Sequence, residues 1–233
     1  MFRVVIAALL LLGTLTASAD EMVLIPLGTG IAFGALGTRW ETAGYVRNSG
    51  PEPVCITAGA APTCIGSQEI RELPAAPALL SLEGPTEFLR FTMIVRETSR
   101  EAQTWGAEIP IIRERDLVRD YMELIVVPTA QEFRRNLRLY ATTASTMALT
   151  VRLWDADADL NGGIPRVLGT KTYTFRKDEL LRSFGDLDAE FPALRTTGHV
   201  RVEIERTGGD GLFWAFLTLT SNTTNHVTTI QAY

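Results

Sequence analysis

The densest set of ligand-type side chains in this 233-residue chain runs Trp154-Asp155-Ala156-Asp157-Ala158-Asp159-Leu160-Asn161-Gly162-Gly163. Alternating oxygen side chains followed by glycine suit calcium. The hard Ca²⁺ ion takes several carboxylate and carbonyl oxygens, and glycine lets the backbone fold around it. Asp157, Asp159, Asn161 and Gly162 fit the first, third, fifth and sixth positions of such a loop. The twelfth would be Leu168 rather than glutamate, so this is no standard EF-hand, and Asp155 is the candidate substitute ligand. Three aspartates this close repel one another without a cation. The same residues also make an ordinary acidic turn. Calcium is thus the one cofactor the chain suggests, with Asp155, Asp157, Asp159 and Asn161 as its metal ligands.

Two tryptophans could serve a ligand, and calcium-assisted glycan binding would require one of them exposed near the aspartates. Trp154 and Trp214 fall opposite the clearest apolar stripes, so they are candidate ligand-binding platforms for a glycan or a protein partner. The competing expectation is that a second layer covers them, because large aromatics usually find burial. Nucleophilic catalysis has little support. The chain has two histidines, His199 and His226, and lacks both a GxSxG elbow and an HExxH zinc motif. A catalytic reading requires one histidine beside a serine and an acid in a cleft. The expectation is a protein that is not an enzyme.

The N-terminus speaks to compartment. MFRVVIAALLLLGTLTASAD places one arginine before the apolar run Val4 to Leu12, then Ala17-Ser18-Ala19. That is the order of a secretory signal, with cleavage expected after Ala19. The apolar run is short for a span of about 20 residues, and no later stretch can span as a helix. The two cysteines, Cys55 and Cys64, enclose the turn-rich segment ITAGAAPT and read as one disulfide across a hairpin. The net charge is −5, with basic and acidic residues interspersed. A nucleic-acid partner, which needs a basic face, is not expected.

The elements that would position these residues are strands. Phe88 to Arg96 alternates over its whole length, with Leu89, Phe91, Met93 and Val95 on one face. Leu137 and Leu139 face in, as do Leu149, Val151 and Leu153, and Val200, Val202 and Ile204 alternate with charges. Met22 to Leu27 reads as a strand that Pro26 pushes towards a sheet edge. Arg176 to Phe184 has the pattern of one or two helical turns. Gly28-Thr29-Gly30 after an apolar strand is a partial dinucleotide fingerprint without the third glycine or a following helix, so it reads as a loop. Asn48-Ser49-Gly50-Pro51 is a turn joining Trp40–Val46 and Pro53–Thr57 into a hairpin, and Phe133 to Gly163 likewise reads as two strands joined by a turn, followed by an acidic turn.

Trp40 to Thr57 also lies over Phe133 to Thr150 at a shift of 93 positions without a gap. Trp40 falls on Phe133, Val46 on Leu139, Val54 on Met147 and Thr57 on Thr150. Ungapped similarity at a fixed shift is what duplication leaves. Short alternating strands separated by turn signals indicate an all-β chain. It would hold two related antiparallel β-sandwich units, immunoglobulin-like, over residues 20–115 and 116–233 after a signal at 1–19. The charged run Arg113 to Asp120 would connect them.

The stretches RWETAGYVRNSGPEPV, FRRNLRLY and FWAFLTLTSNTTNHVTTI resemble secreted bacterial proteins with paired β-sandwich units. In that family a tryptophan-led strand ends in an N-P-G-x-x-P-V turn. Here Asn48-Ser49-Gly50-Pro51-Glu52-Pro53-Val54 departs at Ser49, where proline is usual. The resemblance implies fold and export, and it carries no activity. Together the readings give a non-catalytic secreted or cell-surface interaction module for protein adhesion or assembly. The alternative is a calcium-assisted carbohydrate-binding module, with a hydrolase behind it. The partner, protein or glycan, and the oligomeric state are left open.

Overall fold

The computed structural model describes residues 21–34, 37–59, 61–99, 106–177, 179–184 and 186–231. The expected signal over 1–19 lies outside the described residues. In chain order the strands of the first half are β1 (Glu21–Ile25), β2 (Gly30–Phe33), β3 (Arg39–Asn48), β4 (Val54–Thr57), β5 (Pro62–Ile65), β6 (Ile70–Glu72), β7 (Ala78–Glu83), β8 (Leu89–Glu97), β9 (Ala107–Glu108) and β10 (Ile112–Arg113). Those of the second are β11 (Tyr121–Pro128), β12 (Phe133–Thr142), β13 (Thr146–Asp155), β14 (Val167–Arg176), β15 (Leu181–Phe184), β16 (His199–Gly209), β17 (Leu212–Ser221) and β18 (Val227–Gln231). Two short helices, α1 (Ala156–Leu160) and α2 (Leu187–Glu190), join them. Among the described residues no helix is long and apolar enough to cross a membrane.

The chain is all-β, with four antiparallel sheets. The first half supplies β10-β1-β7-β4-β5 and β2-β3-β8-β9, with β6 also pairing β3. The second supplies β11-β16-β13-β14 and β15-β12-β17-β18. The pairing recurs. The order β1-β7-β4-β5 has its counterpart in β11-β16-β13-β14, and β6-β3-β8-β9 in β15-β12-β17-β18. Numbered by appearance within either half, these strands run 1-6-3-4 and 5-2-7-8. The constant-type immunoglobulin order places strands 1-2-5-4 on one sheet and 3-6-7 on the other.

Alternation decides which side chains enter the core. Along β8, Leu89 and Met93 are buried and Phe91 and Val95 half-buried, while Arg90, Thr92, Ile94 and Arg96 are exposed. Leu137, Leu139, Leu149, Val151, Leu153, Val200, Val202 and Ile204 are all at 0% exposure. One continuous apolar cluster takes in residues from both halves. Each such side chain contributes about 1.5–3 kcal/mol relative to an exposed one.

Three local expectations fail for identifiable reasons. Strand β1 is not at an edge: it lies between β10 and β7, and Pro26 falls one residue beyond its end, where no ladder donor is needed. Residues 181–184 form β15 on the edge of the β12 sheet rather than a helical turn, because Leu181 and Phe184 pair with Tyr140 and Leu137. The segments around 48–53 and 143–145 are not hairpin turns. They carry the chain between sheets, since β3 and β4 belong to different sheets, as do β12 and β13. Asn48 holds the first crossing. Fully buried, it donates through Nδ2 to the carbonyls of Glu52 (2.7 Å) and Ile65 (3.1 Å) and accepts at Oδ1 from the Gly50 amide (2.9 Å). At the second crossing, Gly209 and Gly211 pass so close to the carbonyls of Thr146 and Thr142 that a Cβ would sit 1.9 and 2.2 Å from them.

The halves are bound through the outward face of the β12 sheet. The Tyr140 hydroxyl donates to the Pro26 carbonyl at 2.6 Å, in a buried bond across the join. Tyr140 packs on Trp214 and Phe216, with centroids 5.9 and 6.2 Å away. The charged connector is more than a solvated tether. Val118 exchanges two 2.9 Å backbone hydrogen bonds with Phe213.

Candidate functional site

The acidic stretch after β13 folds as the one-turn helix α1 instead of a loop around an ion. Asp155 caps it, accepting from the Ala158 amide at 3.3 Å. The caps and tertiary donors take the carboxylates one by one. Asp157 accepts from the Thr197 hydroxyl (2.7 Å), the Gly198 amide (2.5 Å) and His199, whose Nδ1 is 2.9 Å from Oδ1. The Thr197 hydroxyl first, then His199 and the Gly198 amide, hold the Asp157 carboxyl down at about 2. Asp159 turns to Arg201 at 3.4 Å, and Asn161 donates back to the Asp157 carbonyl at 2.7 Å. Of the expected ligand set, Asp155, Asp157 and Asn161 line one open pocket, where the Thr197 hydroxyl meets both carboxylates, while Asp159 pairs with Arg201. Among the described residues no three of His, Cys, Asp and Glu are grouped to hold a metal. Protein donors from Thr197, Gly198, His199 and Arg201 offset part of the repulsion between these aspartates.

His199 thus has an acid beside it. An Asp–His pair is part of a hydrolytic triad, and a triad also needs a hydroxyl on the imidazole. The hydroxyl in this cluster, Thr197, reaches Asp155 (2.8 Å) and Asp157. It serves the carboxylates rather than the ring. His226 is exposed at the start of β18, and its carbonyl accepts from the Ser221 amide at 2.9 Å.

The two tryptophans separate. Trp154 is half-buried on the outer face of the β13 sheet. Its indole N–H donates to Glu203 at 2.6 Å, and the Arg201 guanidinium sits 5.3 Å from the ring centroid. Arg201 is paired in turn with Glu123, and Arg152 with Glu203 and Glu205. That face is a self-satisfied charge ladder. Trp214 is only 5% exposed, stacked with Phe216 and beside Tyr140, whose hydroxyl bonds to the first half. It is not on the surface, where a stacking platform would have to stand. Covering by a second layer prevailed for Trp214 because the halves share their core. Cys55 and Cys64 form the expected disulfide, directly opposite one another on β4 and β5.

Two surfaces that the sequence did not single out stand out in the structure. Twelve large hydrophobic residues are exposed among the described residues, and five of them share one face of the β3 sheet: Ile31 (54%), Phe33 (82%), Tyr45 (48%), Ile70 (60%) and Ile94 (39%). The register puts them together. Phe33 lies opposite Arg39, Ile94 opposite Ala43, and Ile70 opposite Arg47, with Tyr45 between. The Glu41–Arg96 ion pair (2.8 Å) lies on the same face. The second surface is a cleft between the halves, into which the Gly28-Thr29-Gly30 segment opens. Here Gly28 serves close packing, since a Cβ would sit 2.2 Å from the Ala75 carbonyl.

A scan against protein-family models finds none that matches this chain. Searches of curated proteins and of solved structures find no match either. Any functional reading therefore rests on these surfaces.

Proposed function

We propose that this protein is a non-catalytic interaction module, exported with cleavage after Ala19, that docks a protein partner on the outer face of the β3 sheet. The observation that carries this reading is the apolar patch of Ile31, Phe33, Tyr45, Ile70 and Ile94. Large apolar side chains left exposed together on one sheet face, with charged groups among them, are what a docking face presents. The recurrence of strand pairing supports a duplicated origin for the two halves, each an immunoglobulin-like sandwich in the broad sense of two facing antiparallel sheets. It also supports the choice of face. In the second half the counterpart strands β12 and β17 turn their outward face, with Tyr140, Trp214 and Phe216, against the first half. The face that one half uses for packing is open on the other. The disulfide fits an oxidising compartment.

The test is a photo-crosslinking amino acid at Tyr45, with Val167 on β14 as the control, in cells that produce the protein. Discrete adducts are expected from Tyr45 alone, and the substitutions Phe33→Asp and Ile94→Asp should abolish them. Identical products from both positions, or none from Tyr45, would reject this docking face. Export is checked separately by the mass of the mature chain, which should begin at Asp20.

A further inference from the structure

Where the halves meet, the first half does not cover all of the outward face of the β12 sheet. Tyr140 and Trp214 are sealed, but further along the strand the same face opens into a cavity of about 590 Å³. That is within the roughly 300–1,000 Å³ typical of small-ligand sites. One wall is polar and cationic. Arg134, Asn136 and Arg138 alternate along β12, with Thr220 and Thr218 opposite the first two on β17. The facing wall comes from the first half and is largely apolar, with Leu27, Trp40 and Val95.

The charge of this cavity is unusual for the molecule. The chain carries 27 acidic and 22 basic residues, yet no described residue lining the cavity is acidic. Both arginines are half-buried with a buried Nε that makes no hydrogen bond, as are Arg182, Arg201 and Arg206, but unlike those three neither Arg134 nor Arg138 has a carboxylate partner among the described residues. The outer contacts are neutral: Arg134 Nη2 donates to the Asn225 side-chain oxygen at 3.3 Å, and Arg138 neighbours the Tyr140 hydroxyl. Elsewhere buried guanidiniums meet carboxylates, as the fully buried Arg135 meets Asp188 at 2.9 Å and the half-buried Arg201 meets Glu123 at 2.9 Å. A guanidinium withdrawn from water without an anion is costly, and a bound oxyanion offsets that cost with charge-assisted hydrogen bonds.

We infer that the cavity between the halves is a binding site for a small organic anion with an apolar body, its carboxylate or sulfonate met by Arg134 and Arg138 and its hydrocarbon or ring laid against Trp40. The planar forks of arginine match an oxyanion, and an indole face receives an aromatic or aliphatic body. This goes beyond the protein-docking role. Trp40 and Tyr45 have opposite parity along β3, so the cavity and the Tyr45, Ile70 and Ile94 part of the docking patch lie on opposite faces of the sheet, while Ile31 and Phe33 on the edge strand β2 border both.

The test is a fluorescence titration of the chain from Asp20 onward with 8-anilinonaphthalene-1-sulfonate, beside its neutral analogue N-phenyl-1-naphthylamine. The sulfonate should bind at one site, be displaced by decanoate and not by decanol, and weaken at least tenfold in Arg134→Gln and in Arg138→Gln. The neutral analogue should bind weakly, and equally to all three proteins. Equal affinity for the two dyes, or unchanged sulfonate binding in both glutamine variants, overturns the site. Circular dichroism checks that the variants fold. Should a glutamine variant not fold, Arg134→Lys and Arg138→Lys replace it. A lysine retains the charge but not the fork, so a several-fold loss for the sulfonate alone supports the site, and no loss overturns it. Crosslinking from Tyr45 should be unaffected by these substitutions, which keeps failure here distinct from failure of the docking face.

Discussion

Asn48 and Asp157 show how much one polar side chain carries in this fold. Asn48→Ala removes three hydrogen bonds from a fully buried position and leaves the carbonyls of Glu52 and Ile65 without that donor. A loss of about 2–4 kcal/mol is expected, read as the shift in urea midpoint. Ser49, whose hydroxyl bond to the Phe88 carbonyl is exposed, should tolerate alanine within about 0.5 kcal/mol. Asp157 supplies a pH dependence. Its carboxyl is held below its ordinary 3.8, at about 2, so it adds stability above that ordinary value and loses it as pH falls towards 2. The stability gap between the parent and Asp157→Asn should therefore be widest near neutral pH and shrink between about pH 4 and pH 2. Urea titrations at three pH values would show it, and a constant gap would count against the Thr197 and His199 contacts. Because those donors already hold the carboxylates, added calcium should leave the melting temperature unchanged. A rise that Asp157→Asn/Asp159→Asn removes would restore the metal site.

At the scale of elements, alternation was legible and strand pairing was not. The inward residues of β8, β12, β13 and β16 follow from period two, because a half-buried strand sorts its side chains by face. The Cys55–Cys64 hairpin was legible too, since the small, turn-rich segment between the cysteines allows the two ends to meet. Reducing it should cost about 2–3 kcal/mol, the loop being short. Denaturation with and without a reductant measures this, and a Cys55→Ser/Cys64→Ser variant should match the reduced protein. The two inter-sheet crossings were misread as hairpins because a turn's residue types report backbone geometry, not which sheet receives the next strand. The decisive contacts, Asn48 to Ile65 and Gly209 to Thr146, join segments remote in the chain. The helical form of the acidic stretch was not legible for a related reason. A calcium loop and a capped helical turn draw on the same Asp, Asn and Gly, and Thr197 and His199 selected the helix from 40 or more residues away.

At the scale of the molecule, the shared core makes a prediction about cooperativity. Its apolar cluster runs through both halves, so calorimetry should show one unfolding transition rather than two. Tyr140→Phe removes the hydroxyl that crosses the join and leaves the Pro26 carbonyl unsatisfied, which should cost about 1–3 kcal/mol. The loss should appear as a lower temperature of that single transition. A variant with two resolved transitions would mean that the halves unfold independently.

The sequence alone determined the strand character, the inward faces and the disulfide, because each depends on local periodicity or on residues close in the chain. Only the tertiary structure decided that Trp214 is buried, that the aspartates are satisfied internally, and that Arg134 and Arg138 face Trp40 across a cavity. Those outcomes depend on how one half sits on the other. That arrangement is set by contacts such as Tyr140 to Pro26, 114 residues apart, which no local pattern encodes.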